Sequence, residues 1–147
     1  MSGRRDARRM AVVLATVLGA CGDGTAPDPS LAVVGTYAAE GPYGAMALIT
    51  EQGGEQIDWL ERGASVRLEL RSDGTTAGRL FAPGADEDGG DFDEDLSGTW
   101  SLVGYLVRLE HEADTFLRDI DLVATDGRLK GEYVGGDITV RIELARQ

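Results

Sequence analysis

An acidic stretch and a lone histidine hold most of the side chains whose chemistry could be put to use. Asp86-Glu87-Asp88-Gly89-Gly90-Asp91-Phe92-Asp93-Glu94-Asp95 places seven carboxylates in ten residues. Crowded carboxylates suit a hard cation, and calcium takes about six to eight oxygen ligands. Asp86, Asp88, Asp91, Asp93 and Asp95 are therefore the candidate ligands of a weak calcium-binding loop. Their spacing departs from the EF-hand: counted from Asp86, the sixth position, where a sharp turn needs glycine, is Asp91. Counted from Asp91 it is Leu96, and the twelfth position is Leu102 instead of an acid. A solvated loop held extended by its own like charges is the simpler expectation. His111 is the chain's one histidine and sits between Glu110 and Glu112. No second histidine or body cysteine exists to complete a metal site with it, so no metal is expected. Alternation puts its ring on the face of Val107 and Leu109, at the rim of a core. After it come Asp114, Thr115, Arg118 and Asp119 around an apolar Phe116-Leu117 plug, with Arg118 in reach of an acid. No Gly-x-Ser-x-Gly elbow or comparable nucleophile context accompanies them, so no catalytic residue is assigned and no enzyme is expected.

Cys21 is the only thiol and has no intramolecular disulfide partner. Arg4, Arg5, Arg8 and Arg9 precede the mostly apolar run Met10–Gly19, and Ala20-Cys21 closes it. A basic segment, an apolar segment of about ten residues and small residues at a cut site make a secretory signal, too short for a spanning helix. Leu18-Gly19-Ala20-Cys21 resembles the lipobox of bacterial lipoproteins. That resemblance implies cleavage before Cys21, a diacylglyceryl group with palmitate-type chains on its thiol, and an acylated new amino terminus. Arg8-Arg9 fits the twin-arginine export motif poorly, which favours the general secretory route. The expected organisation is a signal peptide over 1–20, a lipidated cysteine and tether over 21–30, and a folded domain over 31–147. Gly22 instead of aspartate after Cys21 points to the periplasmic side of an outer membrane in a cell that has one.

The chain carries 14 basic and 26 acidic side chains, a net charge of −12. Such a surface lacks the Lys and Arg patches that nucleic acid requires. The length suits one domain with one core. No cofactor is implied.

Behind these residues stands a period of two. Val66-Leu68-Leu70 alternates with Arg67 and Glu69; Ile138, Val140, Ile142 and Leu144 alternate with Thr139, Arg141 and Glu143. Strict alternation puts one sheet face in a core and the other in water. Strands are predicted near 33–39, 45–51, 55–60, 65–72, 75–81, 97–103, 105–111, 117–124, 128–134 and 137–145. The third reads equally as a short helix over 55–62. Gly53-Gly54, Asp73-Gly74, Gly104-Tyr105, Asp126-Gly127 and Gly135-Gly136-Asp137 are hairpin turns by type. Tight hairpins join antiparallel neighbours, so the fold class is all-β, an up-and-down meander closing into a barrel of 8–10 strands. A β-sandwich is the alternative, but it needs crossovers that these turns disfavour. The predicted core holds Val66, Leu68, Leu70, Trp100, Leu122, Ile138, Val140 and Ile142.

Gly35-Thr36-Tyr37, the Leu68–Thr75 hairpin and Gly98-Thr99-Trp100 resemble the lipocalin-like (calycin) barrels found among bacterial lipoproteins. The resemblance implies a barrel able to hold an apolar ligand. Tyr37, Trp59, Trp100 and Tyr133 are the candidate cavity-lining residues, while Gly35, Gly78, Gly98 and Gly131 either open a cavity or let strands bend. The expected function is a membrane-anchored, non-enzymatic module binding a small apolar ligand, or a filled barrel serving a structural or protein-interaction role in the cell envelope. Replacing the anchoring thiol separates address from fold: Cys21→Ser should release a folded domain from the membrane fraction, as read by fractionation and by the mass of the mature N-terminal peptide.

Overall fold

Alternation is converted into a closed sheet. The computed structural model describes residues 28–40, 44–50, 56–86 and 88–147, and for 48–50 the backbone alone. Cys21, the preceding signal segment and the Gly53-Gly54 turn lie outside the described residues. The strands are β1 (Gly35–Ala39), β2 (Ala45–Thr50), β3 (Gln56–Asp58), β4 (Ser65–Leu70), β5 (Thr75–Ala82) and β6 (Phe92–Asp95). They continue with β7 (Gly98–Val103), β8 (Leu106–His111), β9 (Leu122–Thr125), β10 (Arg128–Gly135) and β11 (Ile138–Arg146). Every pairing is antiparallel, in the order β1-β4-β5-β7-β8-β9-β10-β11, and β11 returns to β1 to close eight strands into a barrel. Closure removes the β-sandwich alternative.

Three strands fall outside that ring. β6 continues the line of β7 along β5, the two separated by Leu96 and Ser97. The hairpin of β2 and β3 lies on β11, so β1 and β2 share one edge of that strand: Tyr37 and Ala38 face Arg146 and Ala145, then Ala45–Thr50 face Glu143–Ile138. Gly44, directly before β2, has φ 91°, and a Cβ there would lie 2.4 Å from the Glu143 carbonyl oxygen. Only glycine fits there. The β9–β10 turn has positive φ at both Asp126 and Gly127, as a two-residue primed turn requires.

Val66, Leu68, Leu70, Trp100, Leu122, Val140 and Ile142 are buried as predicted. Ile138 is not: it is 39% exposed, because it opens β11 at the hairpin tip, beyond the packed interior. The predicted strand over 117–124 begins only at Leu122, since residues 115–120 form successive turns that bury Leu117 and Ile120. Over 55–62 both readings are partly right. Gln56–Asp58 is strand, and a helical turn follows, in which Asp58 Oδ1 accepts Leu60 N at 2.9 Å and Ala64 N donates to Trp59 O at 2.9 Å.

The two barrel ends differ. At one, a 3-10 turn over Pro29–Ala32 is capped by Asp28, whose side chain accepts the Ser30 N–H at 2.9 Å. The folded part thus takes in Pro29 and Ser30, which the sequence reading assigned to the tether. Val33 and Val34 pack on the core, and Tyr37 donates its hydroxyl to Val33 O at 2.8 Å. Trp100 Nε1 donates to Arg71 O at 2.8 Å. Arg146 holds this closure down: its guanidinium donates to the carbonyls of Val34 and Ala32 and lies over the Tyr37 ring. Face assignment is testable on β11. Ile142→Asp puts an unpaired charge into the core and should cost at least ~4 kcal/mol in denaturant unfolding, whereas Thr139→Asp should change stability by about 0.5 kcal/mol.

Candidate functional site

The opposite end is hollow. A cavity of about 370 Å³ opens among β2, β5, β6, β10, β11 and the 112–121 loop. Leu80 and Ala82 of β5 and Val140 of β11 form its floor, with Met46 of β2 beside them. Four aromatic rings contribute to its walls: Trp59, Phe92, Phe116 and Tyr133. Their positions follow from local structure. Trp59 begins the helical turn after β3, and the Arg62 guanidinium lies 5.6 Å from its ring centre. Tyr133 alternates inward on β10 and covers Gly135, where a Cβ would meet its ring at 2.6 Å. Phe116 belongs to the predicted Phe116-Leu117 plug, in which Leu117 is fully buried.

The rim is polar. Asp114 and Asp119 line the cavity, and Arg118 spans them, with Nη2 2.5 Å from Asp114 Oδ1 and Nε 3.4 Å from Asp119 Oδ1. Both acids hold the Arg118 guanidinium firmly in its charged form. Thr115 also lines the cavity, and its Oγ1 lies 2.6 Å from His111 Nε2. His111 is buried on the face of Val107 and Leu109, as alternation predicts. Burial is the largest influence on it and, with the Arg118 charge, lowers its pKa below the ordinary histidine value, while Asp119 opposes them. His111, Thr115, Asp114, Arg118 and Asp119 therefore share one end of the barrel. The arrangement pins a loop to the rim, because Thr115 occupies the His111 ring and two carboxylates occupy Arg118.

Of the four candidate lining residues, the structure brings two to this cavity, Trp59 and Tyr133. Tyr37 and Trp100 belong to the closed end, where their polar atoms bond backbone carbonyls, and Tyr37 lines a separate cleft there, also of about 370 Å³, with Val33, Leu102 and Tyr105. None of the four glycines weighed for a cavity lines this one. Gly98 is instead a close approach: a Cβ there would lie 2.1 Å from the Glu110 carbonyl oxygen. Gly131 lies under Ile120 and Leu122.

The acidic stretch is not one loop. Its second half is β6, which sequence reasoning missed, and the aspartates have separate duties. Asp93 takes a bidentate pair from Arg79, whose hydrogen bond lowers the Asp93 pKa. Asp95 accepts Ser97 N at 2.6 Å, and Asp91 accepts Gly84 N at 3.1 Å. Asp86 and Asp88 lie in the exposed turn before β6, where Asp86 N donates to Gly90 O at 3.0 Å. Among the described residues no group of three or more His, Cys, Asp or Glu side chains is placed to hold a metal ion. The missed signal was Phe92, Glu94 and Leu96 at period two inside the acid run, with Phe92 turned into the cavity wall.

No protein-family model, curated protein or solved structure matches the chain.

The histidine gives a pH dependence of known sign. A base whose folded pKa lies below its unfolded value stabilises the fold above the unfolded pKa and loses that contribution as pH falls through the folded one. Unfolded histidine titrates near ~6.5. Stability should therefore fall as pH drops below about 6.5 in denaturant titrations, and His111→Gln should flatten the curve there.

Proposed function

We propose that this chain is an exported, lipid-anchored envelope protein that holds one small apolar molecule at the open end of its barrel and performs no chemistry on it. The observation that carries the reading is the apolar, aromatic-walled cavity of about 370 Å³ at one end of the barrel, since the cleft of similar volume at the other end has a more polar lining that includes Thr125, Asp126 and Arg128. That volume lies at the lower end of the ~300–1,000 Å³ range of small-molecule sites. Apolar walls with a few fixed polar groups at the rim suit a compact hydrophobic body. Acids at the mouth favour an uncharged ligand over a fatty carboxylate, which they would repel. A binding role without catalysis rests on His111 and Arg118, whose Nε2 and guanidinium are engaged by Thr115, Asp114 and Asp119 in holding the rim loop.

The envelope address rests on the basic-apolar-small start and Leu18-Gly19-Ala20-Cys21, with lipid on Cys21 as the membrane contact. In a cell with an outer membrane, the periplasmic face of that membrane is the assigned site. No cofactor or calcium is assigned, and the net charge of −12 argues against nucleic acid as a partner. A protein-interaction role is the second reading, favoured by Val134 and Ile138, exposed at 62% and 39% beside the mouth.

Native mass spectrometry of the protein purified from its own host tests the choice. A co-purifying small molecule supports the carrier, and Ala82→Trp, which fills the cavity floor, should abolish its retention while leaving a folded barrel. Unliganded mass for both proteins would move the assignment to the protein-interaction reading.

A further inference from the structure

The closed end carries an apolar surface that the ligand reading does not use. Val103 is 56% exposed and Tyr105 79%, on the two sides of the β7–β8 hairpin tip. Val103 faces Leu106 across that hairpin, and Leu106 faces Val123 of β9, itself 43% exposed. The row is therefore continuous across three strands on the outer face. Leu31, 57% exposed, stands on the 3-10 turn, and that turn shares a cleft with Tyr105 through Pro29, Ala32 and Val33. Large apolar side chains left in water in one neighbourhood mark an interaction surface.

Two further facts select the occupant. The chain enters the domain at this same end, through Asp28 and Pro29. Only six residues lie between Cys21 and Asp28, and the seven Cα steps they make span at most ~25 Å when fully extended. The mouth lies about 20 Å away along the axis, for an eight-residue strand such as β5 tilted by ~40°. A domain tethered at Cys21 can thus lay its closed end on the bilayer with the tether slack, whereas presenting its mouth would use most of the tether's reach. Charge agrees. Around the closed end Arg71, Arg128 and Arg146 are balanced by Asp28, Asp73 and Asp126. The mouth loops carry Asp86, Asp88, Asp91, Asp114, Asp119 and Asp137 against Arg62 and Arg118. Anionic headgroups repel the second end and not the first.

We propose that the closed end is a membrane-facing surface, with Tyr105, Val103 and Leu31 seated at the headgroup–acyl boundary of the bilayer that holds the Cys21 lipid. Tyrosine suits that depth, having an apolar ring and a polar tip. The inference rests on the lipid-anchor reading above and adds an orientation to it. The acyl chains supply the affinity, the apolar row sets which way the barrel stands, and the mouth is held toward the aqueous side.

The test uses the full lipidated chain reconstituted into phosphatidylcholine vesicles, with a nitroxide label on a cysteine introduced by Tyr105→Cys, Asp88→Cys or Val134→Cys. Relative accessibility to oxygen and to a water-soluble nickel complex reads immersion depth. The oxygen-to-nickel ratio at position 105 should exceed that at 88 and at 134 several-fold. Position 134 is the stringent control, being apolar and exposed at the other end. Equal ratios on a protein that still floats with the vesicles would overturn the orientation and leave the anchor standing. Labelling of Cys21 in the parent chain, or failure to float, would overturn the anchor and the orientation with it. Shielding of position 105 from both probes would assign the face to a protein partner and overturn the lipid assignment.

Discussion

A sheet that curls into a barrel must find a partner for its last edge, and here that partner is short. β1 and β11 meet through two residue pairs, Tyr37 with Arg146 and Ala38 with Ala145. By contrast β10 pairs with β11 from Arg128 to Gly135. The seam is reinforced from outside the ladder. Gln147 N donates to Thr36 O at 2.9 Å, and Arg146 reaches back to the carbonyls of Ala32 and Val34. The rest of the β11 edge is taken by β2. Unpaired edges recruit other chains, so these few contacts also guard against sheet extension. Because Arg146 binds the segment before β1, closing the barrel and seating the 3-10 turn across its end are one event.

The hollow end has an equally simple origin. Along the inward rows toward the closed end stand Tyr37 on β1, Leu68 and Leu70 on β4, and Trp100 on β7. Toward the other end the β5 row reaches Ala82, which lines the cavity with Ala85. A small barrel whose interior positions are all large packs solid, and one that tapers to alanine leaves room. Phe116 and Trp59 then come from outside the ring to wall that room, one from a loop pinned by His111 and Thr115, the other from a turn capped by Asp58.

This division explains what could be read from the chain and what could not. Alternation in 65–70, 106–111 and 138–146 reports a face, and the faces were legible to the residue: Val66, Leu109 and Ile142 are all inside. Depth along the barrel axis was not, because period two is blind to it. Tyr37 and Tyr133 both point inward, yet one bonds Val33 at the closed end and the other walls the open cavity. Ile138 was misplaced for the same reason, since its parity is right and its position at the strand end is not. β6 was hidden by composition. Aspartate is poor in strands, and Phe92–Asp95 pairs along β5 with Arg79 clasping Asp93, a cross-strand ion pair that local propensity does not register.

The ion pairs themselves point back to the site. Arg79 with Asp93, Arg108 with Asp121, Arg128 with Glu143 and Arg141 with Glu132 join strand to strand or strand to loop on the barrel's outer surface. Exposed pairs of this kind are each worth about 0–1 kcal/mol, so they add little stability. Their larger consequence is spatial. They hold four of the chain's 14 Lys and Arg side chains on the outer wall, while Asp86, Asp88, Asp114, Asp119 and Asp137 stand on the loops around the mouth. A molecule approaching the cavity therefore meets a negative rim before an apolar interior. An anion would be repelled at the first and a strongly polar molecule desolvated at the second. On the carrier reading proposed above, selection by the pair would be sharper than by either alone, and a compact, uncharged, apolar body is the occupant that both would accept.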